Sequence, residues 1–133
     1  MNGTAKVVSL WAPPVLWMAV IFLLSSTPKV NLPDYGGFDF AVKKSAHVAE
    51  YGLLGFLLLR AYSGGRLPLR RTIGLATGVA FLFAISDEGH QFFVPGREGK
   101  PFDVLVDLAG ICLGQAGWLV WKRLSNRKAQ LER

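Results

Sequence analysis

Val104–Trp121 reads VLVDLAGICLGQAGWLVW, eighteen residues with no proline and a single charged side chain, Asp107. Extended back to Phe102, it approaches the roughly 20 residues that a helix needs to cross a hydrocarbon core of about 30 Å. Asp103, Asp107, Gly110, Gly114 and Gly117 recur at i, i+4, i+7, i+11 and i+14, so they share one helical stripe. Glycines along such a stripe let a second helix approach closely. A carboxylate one turn inside a membrane helix costs a few kcal/mol if it faces lipid. The stripe therefore faces a bundle interior, and the fold class it dictates is an all-α integral membrane bundle.

The rest of the chain repeats the pattern. Three further apolar runs are VVSLWAPPVLWMAVIFLLS, HVAEYGLLGFLLLRAY and TIGLATGVAFLFAIS. With their polar ends included, the sequence predicts four transmembrane helices over about 7–25, 42–62, 72–93 and 102–121, in a single domain over 1–133. The first run is too long for the apolar region of a signal peptide and lacks an A-x-A site after it, so it reads as a retained helix. Pro13 and Pro14 fall near one end, where missing amide donors cost least. Composition agrees: 51% of residues are hydrophobic, 18% are charged, and mean hydropathy is +0.33.

A net charge of +6 would suggest nucleic acid as the partner of a soluble protein. Here the positive charge flanks apolar runs, and no recognition module is present, so it reads as membrane orientation and anionic-lipid contact. Ten Lys and Arg, among them Arg60, Arg66, Arg70, Arg71 and Arg127, fall on one side. Five fall on the other: Lys29, Lys43, Lys44, Arg97 and Lys100. The excess places both termini in the cytoplasm. The lone Cys112 lies in an apolar run and reads as a buried, inert thiol, and it excludes an internal disulfide.

This topology gathers the ionisable chemistry on the extracytoplasmic side. SDEGHQFFVPGREGKPFD, Ser86–Asp103, connects helices three and four there, and KKSAHVAEY opens helix two on the same face. Lys44, His47, Glu50 and Tyr51 share one stripe; Asp87, Glu88 and Gln91 share another. Glu50 and Asp107 lie inside their segments and call for partners in Lys44, His47 or Arg97. Pro95-Gly96 signals a turn that folds Arg97 back over the helix ends, where its planar fork suits phosphate or carboxylate, or pairs with Glu88 or Asp103. Phe92, Phe93 and Phe102 are expected at headgroup depth as aromatic walls.

Three pieces, Lys44-x-x-His47-x-x-x-Tyr51, Glu88-x-x-Gln91 followed by Pro95-Gly96-Arg97, and Asp103-x-x-x-Asp107-x-x-Gly110, resemble the VanZ-like family of small bacterial membrane proteins. The resemblance runs from about Ser25 to Trp121. Asp107 departs from it, since the family often carries asparagine there. The resemblance implies a multi-pass protein of the bacterial cell membrane, linked with teicoplanin resistance and with cell-envelope work.

The expected function is binding, in an extracytoplasmic polar pocket, of an anionic lipid headgroup, a lipid-linked peptidoglycan precursor or a glycopeptide-related ligand. The ligand-binding set is Lys44, His47, Glu50, Tyr51, Asp87, Glu88, Gln91, Arg97, Asp103 and Asp107. The alternative is an enzyme using water, with Glu88 or Asp103 as general base and His47 as acid. No serine or cysteine nucleophile lies in these motifs. Transport is the weakest reading, because the inner half carries almost no polar residues. No metal site or cofactor is expected; a divalent ion at His47, His90 and the nearby carboxylates is the lesser alternative, without an HExxH pair. Membrane lipids are the expected partners, with a homodimer as a further option through the glycines and no nucleic acid.

Overall fold

The computed structural model describes residues 2–132. It contains α1 (Gly3–Ser25), α2 (Asp39–Ser63), α3 (Leu69–Gln91) and α4 (Pro101–Leu131), with short 3-10 turns at Lys29–Asn31 and Gly36–Phe38 and no strand among the described residues. The all-α expectation holds. Helices α1, α3 and α4 are long and apolar enough to cross a membrane. Helix α2 matches them in length at 25 residues but carries Lys43, Lys44 and Glu50.

The helices run longer than apolar patterning predicts. Helix α4 continues ten residues past Trp121 to Leu131, through the charged stretch after the apolar run. Lys, Arg, Gln and Leu are good helix formers, so a charged extension outside the apolar zone keeps its backbone bonds. At the other end, Pro101 occupies the first helical turn of α4, where a missing N–H costs nothing, and Asp103 complements the positive end of the helix dipole. Pro13 and Pro14 lie inside α1, whose helix continues through them.

The outside of the bundle is apolar. Leu16, Leu23, Leu82, Leu105 and Leu113 are all exposed, which suits contact with lipid chains rather than water. Cys112 is exposed on this outer surface too, contrary to the expectation of a buried thiol. It lies off the stripe of α4 that faces α2, so it points outward. Inside, Ile21, Tyr51, Leu54, Leu58, Ile111 and Trp118 form the core with Ala76, Ala80 and Ala84. The three alanines make a small-residue row at i, i+4 and i+8 on α3, which the buried Glu88 and Gln91 continue.

The α2–α4 contact is the most extensive in the molecule. Each helix brings glycines to it. A Cβ on Gly114 would fall 1.7 Å from the Gly52 carbonyl oxygen, one on Gly110 would fall 2.7 Å from that of Val48, and one on Gly55 would fall 2.5 Å from that of Ile111. The stripe read from sequence thus packs within the subunit, with Gly52 and Gly55 as its unforeseen counterparts. Gly117 does not belong to it: a Cβ there meets nothing within 4 Å. Gly117 is exposed, with room for a side chain.

That difference is measurable. Gly114→Ala is expected to lower the melting temperature of the detergent-solubilised protein sharply, because a backbone oxygen cannot yield; overpacking of this kind costs about 1–3 kcal/mol or more. Gly117→Ala should leave the melting temperature unchanged or raise it slightly. Equal behaviour of the two variants would contradict the α2–α4 packing described.

Candidate functional site

The polar ends of α2, α3 and α4 converge. Lys44 on α2 pairs with Asp103 on α4, and its ammonium lies 5.4 Å from the Phe40 ring centroid and 5.6 Å from that of Phe102. One turn deeper, His47 Nδ1 lies 2.8 Å from Asp107 Oδ1. Both pairs link α2 to α4 above the glycine contact. Of the partners expected for Asp107, His47 is the observed one; Lys44 instead takes Asp103.

Helix α3 supplies the second half of the cluster. Gln91 Nε2 donates to Glu88 Oε1 at 3.1 Å and to Asp87 Oδ2 at 3.3 Å. The Lys100 backbone N–H donates to Glu88 Oε2 at 2.9 Å. Ser25, at the end of α1, donates to Asp87 Oδ2 at 2.7 Å, a contact that no local pattern announces. Asp87, Glu88, Gln91, Asp103 and Asp107 are all buried. Ligand atoms of His47, Glu88 and Asp107 lie within 4.8 Å of one another.

In front of this cluster lies a cavity of about 490 Å³. Lys44, His47, Glu50, Gln91, Arg97 and Asp103 line it, whereas Tyr51, Asp87, Glu88 and Asp107 do not. Those carboxylates form a layer behind the wall, reached through His47 and Gln91. Tyr51 sits deeper, fully buried in the apolar core, with no hydrogen-bond partner for its hydroxyl. Glu50 faces the cavity without an ion pair among the described residues; Trp17 Nε1 donates to its backbone carbonyl at 2.8 Å.

Three expected placements differ. Arg97 pairs with none of Glu50, Asp107, Glu88 or Asp103: its Nη2 donates to the Leu24 carbonyl at 2.9 Å and its Nε to the Thr27 carbonyl at 3.2 Å. These carbonyls sit at and just past the end of α1, where the Leu24 oxygen accepts only the Thr27 N–H from the backbone, at 3.2 Å, and the helix dipole is negative, so they attract a cation. Gly96, at φ +73°, turns the chain in the left-handed region to deliver Arg97 there. His90 also turns to α1, stacking on Phe22 at 4.4 Å between ring centroids and contacting Ser26 Oγ at 3.0 Å. Phe92 and Phe93 stand exposed outside the cavity; Phe102 lines it as expected, joined by Phe40.

Sequence reasoning missed the segment after α1. Lys29, Leu32, Pro33 and Tyr35 line the cavity, and the Lys29 N–H donates to the Pro95 carbonyl at 3.2 Å. The topology could have indicated it, because this polar segment must emerge on the same face as Ser86–Asp103. At the rim, Lys100 lies 3.0 Å from Glu98 and holds its exposed carboxyl below the usual range.

A family model described as VanZ/LLP1 matches residues 10–122. No curated protein and no solved structure matches the chain.

Arg97 therefore has a measurable structural role. Arg97→Ala removes a charged donor from two carbonyls, which is expected to cost about 1–3 kcal/mol. Hydrogen exchange should quicken across residues 24–33 while the cores of α2 and α4 keep their protection. Unchanged exchange in that segment would show that Arg97 does not anchor it.

Proposed function

Because the chain belongs to the VanZ/LLP1 family, we propose that it is a cell-envelope protein of the bacterial membrane whose polar cavity binds the anionic headgroup of an envelope lipid or lipid-linked peptidoglycan precursor. The observation that carries this reading is the uneven pairing of the cations around the cavity. Lys43 pairs with Asp39, Lys44 with Asp103 and Lys100 with Glu98, while Arg97 caps carbonyls. Lys29 lines the same cavity with no side-chain partner among the described residues. Its ammonium makes no direct pair among those residues, its charge acting at longer range on the Asp39 and Glu98 carboxylates, and a phosphate entering the cavity would gain a charge-assisted bond from it without breaking an internal pair.

The apolar part of the lining supports a lipid over a free anion. Leu24, Leu32, Val42, Phe40 and Phe102 border the cavity, so acyl chains could leave it along an apolar path. A protein that holds lipid-linked precursors would also alter what a glycopeptide such as teicoplanin reaches, in keeping with the sequence resemblance. The extracytoplasmic placement follows from the Lys and Arg distribution.

A second reading, acid-base chemistry, is favoured by one contact. His47 lines the cavity and is oriented from behind by a fully buried aspartate, an arrangement that fixes an imidazole for proton transfer. Of the two expected bases, Glu88 lies behind the wall with both oxygens engaged, and Asp103 lines the cavity but is paired with Lys44, which favours binding as the primary role.

Native mass spectrometry of protein reconstituted with phosphatidylglycerol or undecaprenyl diphosphate tests the binding reading. Wild-type protein is expected to retain one anionic lipid, and Lys29→Glu to reduce retention about tenfold, equivalent to ~1.4 kcal/mol. Retention of phosphatidylcholine at the same level, or no effect of Lys29→Glu, would remove the case for an anionic headgroup site.

A further inference from the structure

We propose that His47, Glu88 and Asp107 form a binding site for a divalent transition-metal ion, with zinc as its representative, behind the cavity wall. The three side chains come from three different helices, α2, α3 and α4. Their ligand atoms already lie within 4.8 Å of one another. Donors bound tetrahedrally at ~2.1 Å from zinc sit ~3.4 Å apart, so rotamer adjustments of about an ångström close the site. One imidazole and two carboxylates form the mixed nitrogen–oxygen donor set that such ions accept.

An independent observation points to a missing cation. Asp107 is fully buried, and its Oδ2 has no hydrogen-bond partner. An ionised carboxylate oxygen in that position is costly unless a positive charge meets it. Glu50, Glu88 and Asp107 act on His47, and the cations that reach Asp107 are His47 itself and Lys44, which is already paired with Asp103, so acids outnumber cations here. One dication offsets two of these negative charges at a single point.

The supports around the three donors resemble those of a metal site. Both Glu88 oxygens are oriented, by Gln91 Nε2 and by the Lys100 N–H, and each keeps acceptor capacity for an ion. Three protein donors leave coordination capacity unfilled. His47 also lines the cavity, so the ion would border the space assigned above to a headgroup. The metal reading stands on the triad alone and does not depend on that assignment.

The test uses full-length protein, stripped with EDTA and reconstituted into uncharged phosphatidylcholine nanodiscs. Zinc chloride is titrated in, and bound zinc is counted by elemental mass spectrometry after gel filtration. One zinc per chain is expected, with a rise in melting temperature because the ion joins three helices. His47→Ala, Glu88→Gln and Asp107→Asn should each weaken binding about tenfold or more. Glu98→Gln, which alters an exposed carboxylate, should bind as wild type. X-ray absorption of the zinc-loaded wild-type protein should show a nitrogen–oxygen shell with the outer scattering of one imidazole, a readout independent of how the variants fold. Absence of stoichiometric zinc, binding that survives all three substitutions, or a shell without imidazole would each overturn the site. Retained phosphatidylglycerol in zinc-free protein would leave the headgroup reading intact while removing this one.

Discussion

Close approach of α2 and α4 at their glycines governs the geometry of everything above it. The pairs Lys44–Asp103, His47–Asp107 and Gly52–Gly114 advance together along both chains, so the two helices run parallel. Parallel helices start at the same face, which brings the charged beginnings of both to one end of the bundle. At the glycines, backbone meets backbone, and the helices are too close for side chains to separate them. Aspartate is short. It reaches across from α4 to His47 and Lys44 because the glycines one or two turns further along have set that separation.

The polar cluster is built outward from this seam. His47 and Asp107 close the bottom of it, Lys44 and Asp103 lie a turn above, and Glu88 and Gln91 enter from α3. Each buried acid costs several kcal/mol unless it is compensated. Some compensation is visible in Ser25, Gln91 and the Lys100 amide, which hold Asp87 and Glu88 by hydrogen bonds. These bonds tie the connection before α4 and the end of α1 to α3. The loops over the cavity are thus fixed by the cluster beneath them, with Arg97 adding a clasp to α1.

Features carried by helical period were legible in the sequence. Asp103, Asp107, Gly110 and Gly114 could be placed on one face, and Lys44 and His47 on another, because 3.6 residues per turn leaves little choice. Apolar length located the four helices, though not their ends, since hydropathy is silent about charged residues that continue a helix to Leu131. The fate of Arg97 was illegible for a different reason. It depends on a left-handed Gly96 and on carbonyls some 70 residues away, and neither leaves a periodic trace. Gly117 and Cys112 failed on local detail: one continues the stripe by period yet stands exposed with no close neighbour, and the other sits in an apolar run yet faces outward.

The distribution of polarity along the bundle limits what the site can do. Beyond Gly110 the interior between the helices is filled by Leu54, Leu58, Leu59, Ala76, Ile111 and Trp118. Gln115 and Thr77 form a single bond there, at 3.1 Å, and Thr72 returns its hydroxyl to the Pro68 carbonyl of its own helix. A charged group passing through would meet several turns of apolar packing with no ionisable partner, at a cost of several kcal/mol or more. The ionisable chemistry is instead confined to one end, beneath a cavity bordered by both phenylalanines and lysines. The binding proposal also rests on that confinement: a headgroup would have to reach the site from the end of the bundle where the ionisable residues lie, with its apolar part left beside the phenylalanines.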